Sequence, residues 1–306
     1  MVDHAAHAAE ARRRYLDARD PVEGGEDWRQ ALREARRVLA ATLRATSYLF
    51  EVEEALRESG SHTLALRHLL APPISQDQFK LICLEWSKTS EKTGRGLNEF
   101  QAAAVADTFN RWRDRYLTRW LDAGRRPTTA EVREVLLALS PLIANQSMAT
   151  ARRNRLAAKQ EQAVIELLES KGWTRLPSSL IDTRAAVPEK HFMHKTRFAT
   201  ATTAPQEVDI ACGLGRTVVL AMECKVTNDE TNSVKRINDV LKKAEAWKTH
   251  WGSFVVTAAL LEGVIKPSDV QRLVDADVRV FWSHELDRFS EWLDTRVSVM
   301  KIDANL

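Results

Sequence analysis

Cysteine is scarce in this chain of 306 residues. It has three, Cys83, Cys212 and Cys224, far apart, with no CxxC pair and no metal-ligand spacing. That argues against a disulfide framework and a structural zinc site, and for a reducing compartment. Long apolar runs are also missing. None approaches the roughly 20 residues that a membrane-spanning helix needs. Met1 to Arg14 is polar and charged, unlike the apolar core of a secretory signal. The expectation is a cytoplasmic protein with no membrane segment. Charge of one sign is absent too: 45 Lys and Arg oppose 42 Asp and Glu, a net +3, and residues 1–150 hold 22 against 21. A polyanionic partner would have to be met by local patches. There is no internal repeat, no low-complexity run, no glycine-rich phosphate loop and no evident Ser–His–Asp set. A hydrophobic share of 44% suffices for a folded core.

What is present is a change of period near residue 150. Before it, the pattern is helical. Trp28, Leu32, Ala35, Leu39 and Thr42 recur at helical spacing, and Tyr48 to Leu56 is a second candidate. Ser75 is placed to cap a helix through Phe79, Ile82, Cys83 and Trp86. The polar, glycine-containing stretch 88–96 reads as a loop. Asn98 is placed to cap a helix through Phe100, Val105, Phe109, Trp112, Tyr116 and Trp120. Thr128 and Glu131 have capping-box spacing ahead of Val132, Val135, Leu136 and Leu139. A separate helix is expected over 152–171, stopped by Gly172. Strands follow at 173–176, 191–198, 207–212 and 217–225. Then come a helix at 231–250, a strand at 253–259, a helix from Pro267, a strand at 278–282 and a helix at 283–293. The expected class is α+β or α/β, with a mixed β-sheet flanked by helices in residues 151–306 and a large helical domain in residues 1–150.

The segments around Asp209 and Glu223-Cys224-Lys225 carry chemistry. They read as successive strands joined by a turn at Gly213-Leu214-Gly215. Side chains alternate along a strand, so Glu223 and Lys225 share a face. Two carboxylates and a lysine on one polar face can hold a divalent cation and a water beside a phosphate. Phosphodiester hydrolysis needs an activated water and charge stabilisation at phosphorus, which Mg²⁺ supplies when carboxylates hold it with positions left open. Asp209, Glu223 and the backbone carbonyl of Cys224 are the candidate ligands. Lys225 would orient or deprotonate the water, or stabilise developing charge. Leu220, Met222 and Cys224 would bury against a helix, making Cys224 core. The bland alternative is a solvated Glu/Lys strand face.

Asn232, Ser233, Lys235 and Arg236 open the next helix, whose expected apolar stripe is Val234, Ile237, Leu241, Ala244 and Trp247. Cations in a first turn oppose the helix dipole, which suggests a bound anion. Lys235 and Arg236 are expected on phosphates, and Asn232 or Ser233 on phosphates or base edges. The alternative is a solvated helix end. Glu161, mid-helix, would complete a second metal site or bind a water, or else is an ordinary surface residue. Arg111, Arg115 and Arg119 stand at i, i+4 and i+8 beside Trp112, Tyr116 and Trp120. They form either a DNA-tracking stripe or the polar face of an amphipathic helix. His191 and His194 would point to opposite faces of a strand, which speaks against a metal pair.

Glu207-Val208-Asp209, Met222-Glu223-Cys224-Lys225 and Asn232 to Arg236 together resemble the PD-(D/E)xK nuclease superfamily. More narrowly, with Pro73 to Phe79 and Leu167 to Trp173, they are similar to XamI-like type II restriction endonucleases. The superfamily's proline before the aspartate is absent here; Val208 takes its place. The resemblance implies Mg²⁺-dependent, sequence-specific cleavage of double-stranded DNA, with Asp209, Glu223 and Lys225 catalytic. It implies a homodimer on a palindromic site and a cognate DNA methyltransferase as functional partner, with the helical domain binding DNA, dimerising or both. The alternatives are a repair or structure-specific nuclease of the same kind, and a non-catalytic DNA-binding module.

Overall fold

Residues 3–18, 21–201, 203–215 and 217–302 are described by a computed structural model. They fall into two compact units: residues 21–151, and residues 152–302 together with the first helix. That first helix, α1 (His4–Asp17), is capped by Asp3, whose carboxylate accepts the N–H groups of Ala5 and Ala6. Its apolar Ala8 and Ala11 join the core of the C-terminal unit.

The helical unit holds α2 (Pro21–Ala45), α3 (Val52–Glu58), α4 (Thr63–His68), α5 (Gln76–Ile82), α6 (Lys88–Thr93), α7 (Glu99–Trp112), α8 (Arg119–Asp122) and the start of α9 (Thr129–Ser170). Leu39, Leu43, Leu56, Leu66, Phe79, Trp86, Phe109, Trp120 and Val135 form its core. Ser75 and Asn98 each make the full reciprocal cap with the glutamine three residues on. Several expectations fail here; the helix capped by Ser75, for one, ends at Ile82, short of Trp86. Residues 88–93 are helix rather than loop, because Ser87 caps them and Gly94, at φ 72°, closes them in the left-handed region. The helix from Asn98 ends at Trp112 instead of running to Trp120. There Arg113 turns extended and bridges Leu70, while the Asp114 N–H bonds the Leu69 carbonyl and the Trp112 carbonyl accepts from Ala71. These long-range backbone bonds replace the helical ones.

The two helices expected on either side of residue 150 are one, α9, continuous through Pro141. The stretch 141–151 holds no glycine to stop it. The C-terminal unit then lays down β1 (Thr174–Leu176), β2 (Leu180–Ile181), β3 (His191–Phe198), β4 (Gln206–Gly215) and β5 (Val218–Thr227). After them come α10 (Glu230–Trp251), β6 (Val255–Gly263), α11 (Pro267–Asp275), β7 (Arg279–Trp282) and α12 (Leu286–Ile302). The seven strands form one mixed sheet in the order β1-β3-β4-β5-β6-β7, with β2 also on β3. Its middle, β3-β4-β5, is antiparallel; the remaining pairs are parallel. The mixed sheet with helices on its faces matches the expected class.

One face carries Leu220, Met222, Cys224 and Leu260 against α9 and α12 through Val164, Leu168, Phe289 and Leu293. The other packs Val219 and Ala221 on Trp247 and Trp251 of α10, and Ala259 and Leu261 on α10, α11 and α1. The α10 stripe is Ile237, Val240, Ala244 and Trp247; Val234 is exposed, contrary to expectation. Gly213 and Gly215 lie within β4, around a register shift, rather than forming the turn. No helix among the described residues is long and apolar enough to cross a membrane.

Candidate active site

The β4–β5 ladder ends on this side at the pair of Ile210 with Met222. The Cys224 N–H donates instead to Asp209 Oδ2 at 2.8 Å, so a side chain satisfies a strand amide where the two strands part. On β5, Glu223 and Lys225 lie on one side as the alternation requires. Lys225 Nζ is 2.6 Å from Glu223 Oε2 and 3.9 Å from Asp209 Oδ2. Helix α10 adds two groups one turn apart. Asp239 Oδ2 lies 3.5 Å from Lys225 Nζ, and Lys243 Nζ lies 2.9 Å from Glu223 Oε2. Glu223 is wholly buried, and its second oxygen, Oε1, has no hydrogen-bond partner among the described residues.

Burial and charge compete at each group. Burial alone would push Asp209 up, but Lys225, the Cys224 N–H and Lys195 outweigh it and hold the carboxyl below its ordinary value. At Glu223 burial wins: the carboxyl is raised, with the Asp209 charge adding to the effect and Lys225 and Lys243 opposing it. Burial would lower Lys225, yet Glu223 and Asp209 raise it. Burial drives the Cys224 thiol far up, so it is an inert core thiol as expected.

Glu161, from α9, is also brought here. His194 Nε2 lies 2.8 Å from Glu161 Oε2, and Lys195 Nζ lies 2.5 Å from Oε1. The Lys195 ammonium is also 3.1 Å from Asp209 Oδ1, which joins Glu161 to the hairpin site. Arg175 of β1 lies 3.1 Å from the other ring nitrogen of His194.

A profile of the XamI restriction endonuclease family matches residues 48–282 of this chain, taking in this whole cluster. The type II restriction enzyme XamI of Xanthomonas campestris pv. amaranthicola is 34% identical over 194 residues, covering 62% of this chain and 67% of that enzyme. The chain belongs to the XamI restriction endonuclease family. Among solved structures, a protein from Vibrio cholerae shares 10% identity and a TM-score of 0.32, over 88% of this chain and 57% of its own. The restriction endonuclease is therefore a type II site-specific deoxyribonuclease by family.

Asp239, Lys243 and Lys195 are not among the sequence candidates for this restriction endonuclease, and His194 is weighed there only beside His191. Asp239 and Lys243 stand at i and i+4, so the helical period that put Ile237 and Val240 inward could have shown them as one neighbouring stripe. His194 and Lys195 are adjacent in a strand and should face opposite ways. Nothing in the residue types announces the backbone turn that brings both to Glu161.

The helix start at α10 differs from expectation. The helix begins at Glu230, so Lys235 and Arg236 fall in its second turn, and the Asp229 carboxylate already caps the Asn232 N–H. Ser233 points inward: it is buried, and its hydroxyl donates to Asp269 Oδ2 at 2.9 Å. Asn232 and Lys235 are exposed and Arg236 is half-buried, and no ion pair holds either cation among the described residues. The stripe of Arg111, Arg115 and Arg119 does not exist as one helix face, because the chain leaves the helix at Trp112. Arg115 pairs with Asp122 at 3.1 Å, and Arg119 with Glu131 at 3.1 Å and Glu134 at 2.9 Å. Arg111 stays exposed over the Trp112 ring.

Among the described residues, no three His, Cys, Asp or Glu side chains converge as a ready-made metal cluster. The donor set still suits a hard cation that keeps most of its waters, which needs one or two carboxylates. The buried, partnerless Oε1 of Glu223 is the observation that supports the fit.

Proposed function

We propose that this restriction endonuclease hydrolyses phosphodiester bonds of double-stranded DNA at a specific palindromic sequence with Mg²⁺, through Asp209, Glu223 and Lys225 as a PD-(D/E)xK site. The observation that carries it is the convergence of these three side chains, with Lys225 Nζ 2.6 Å from Glu223 and 3.9 Å from Asp209. Asp209, Glu223 and the Cys224 carbonyl would hold the cation. When bound, it supplies positive charge to the phosphate and lowers the pKa of a bound water. Asp209 is oriented for this by the Cys224 N–H, which anchors Oδ2. Lys225, an ammonium between two carboxylates, donates to the attacking water and offsets the charge that grows on the phosphate. Glu161, held by His194 and Lys195, keeps the open side of Asp209 polar.

Lys235, Arg236 and Asn232 are our candidates for phosphate contact, with Arg111 as a further exposed cation. Arg115 and Arg119 can contribute only where their ion pairs leave hydrogens over. A palindromic site suits a homodimer, because a two-fold protein matches a two-fold site. A cognate DNA methyltransferase would be the functional partner, since the same sequence in the host's own DNA needs protection.

The test uses plasmid DNA with Mg²⁺. The wild type should yield discrete fragments, and a chelator should abolish them. Asp209→Asn and Lys225→Ala, each checked for an unchanged circular dichroism spectrum, should cut at least about a hundredfold more slowly. Wild-type rates from both variants would remove the site assignment.

A further inference from the structure

Asp209 presents its two oxygens to two different cations. Oδ2 takes the Cys224 N–H and faces Lys225 and, beyond it, Glu223. Oδ1 faces Lys195 at 3.1 Å, and Lys195 is 2.5 Å from Glu161 Oε1. The Lys195 ammonium thus bridges carboxylates from α9 and β4. In two-metal phosphodiesterases that bridging place belongs to a divalent ion about 3.5–4 Å from the first.

The backbone is bent to achieve this. Lys195 sits in the middle of β3 at φ 53°, in the left-handed region that side chains other than glycine and asparagine rarely adopt. The pairing with β4 is in register on either side, His194 with Ile210 and Thr196 with Val208. The strain is therefore local to one residue, and its consequence is that His194 and Lys195 both reach Glu161, one on each oxygen. Strain of this kind persists where the surroundings demand it and concentrates at functional sites. The Lys195 side chain remains 57% exposed, open to an incoming phosphate.

We propose that Lys195 is the resident second cation of the cutting site: its ammonium, between Glu161 and Asp209, takes the place of a second divalent ion, so that each chain binds one such ion. The inference rests on the reading that Asp209 and Glu223 hold the first.

Bound Mn²⁺ can be counted by electron paramagnetic resonance on the full-length protein at saturating Mn²⁺. The wild type and Lys195→Arg should each bind one ion per chain with the spectrum of an isolated ion. Lys195→Gly, which accepts the left-handed backbone, leaves Glu161 and Asp209 unneutralised. It should bind two ions, with the exchange-coupled spectrum of a pair. Lys195→Met keeps the length and loses the charge, and it carries the same expectation if the glycine variant does not fold. Two ions in the wild type would overturn the inference, as would a single ion in a folded Lys195→Gly or Lys195→Met protein. Failure of the wild type to bind any ion would instead overturn the underlying metal-site reading and this inference with it.

Discussion

Ser233 is committed to the interior. Its hydroxyl donates to Asp269, whose other oxygen accepts from Arg272 at 3.2 Å. Ser233→Ala leaves a buried carboxylate one donor short, a loss of about 1–3 kcal/mol. The melting temperature should fall while DNA affinity in a gel shift stays unchanged. A weakened shift with an unchanged melting temperature would return Ser233 to the DNA-facing set. At the same scale, the neighbours of Glu161 explain why half the site was hidden. Asp209, Glu223 and Lys225 obey strand alternation, so their spacing shows them. His194 and Lys195 violate it, because one left-handed residue resets the alternation and lysine is not a residue type that signals such a turn.

Helix ends decide the elements. The start of α9 is a full capping box: the Thr128 hydroxyl accepts the Glu131 N–H at 3.2 Å, and Glu131 Oε2 accepts the Thr128 N–H at 2.7 Å. Arg125 donates to the same carboxylate at 2.7 Å. Hydrogen bonding by Arg125, then by the Thr128 N–H, lowers Glu131 from its ordinary 4.5 to about 2. A depressed carboxyl contributes stability that is complete above the ordinary value and is lost as the pH falls through the depressed one. Wild-type stability should therefore decline between pH 4.5 and about 2 more steeply than that of Glu131→Gln, measured by thermal melting across that window. Parallel declines would show that the cap contributes no acid-sensitive stability. These caps were legible because they are local, as at Ser75 and Asn98. The end of α7 was not, because Arg113 leaves the helix to bond a segment more than forty residues earlier. The fusion of two expected helices into α9 has the opposite cause: Pro141 forfeits one hydrogen bond, and the rest of the helix tolerates it.

At the scale of the whole molecule, the net charge of +3 leaves no general attraction for DNA. Binding then depends on a few cations. Lys235→Ala should weaken binding about equally for all sequences and lower the slope of log affinity against log salt by about 1. A loss confined to one sequence would make Lys235 a base-reading residue. A two-fold assembly predicts two chains per site in sedimentation and cuts placed symmetrically about its centre on both strands. One chain per site, or asymmetric cuts, would exclude it.

By itself the sequence determined what local rules govern: strand alternation on β5, the apolar periods of the core helices, the caps, and the acid–lysine spacing of Glu223 and Lys225. Only the tertiary structure decided what distant segments do to one another. It added α1 to the sheet unit, turned Ser233 inward to Asp269, and set Asp239 and Lys243 against the β5 pair. It also brought Glu161 to Asp209 through Lys195. Spacing along a chain records only which side chains a regular element can align; which carboxylate a lysine neutralises depends on elements that meet through folding.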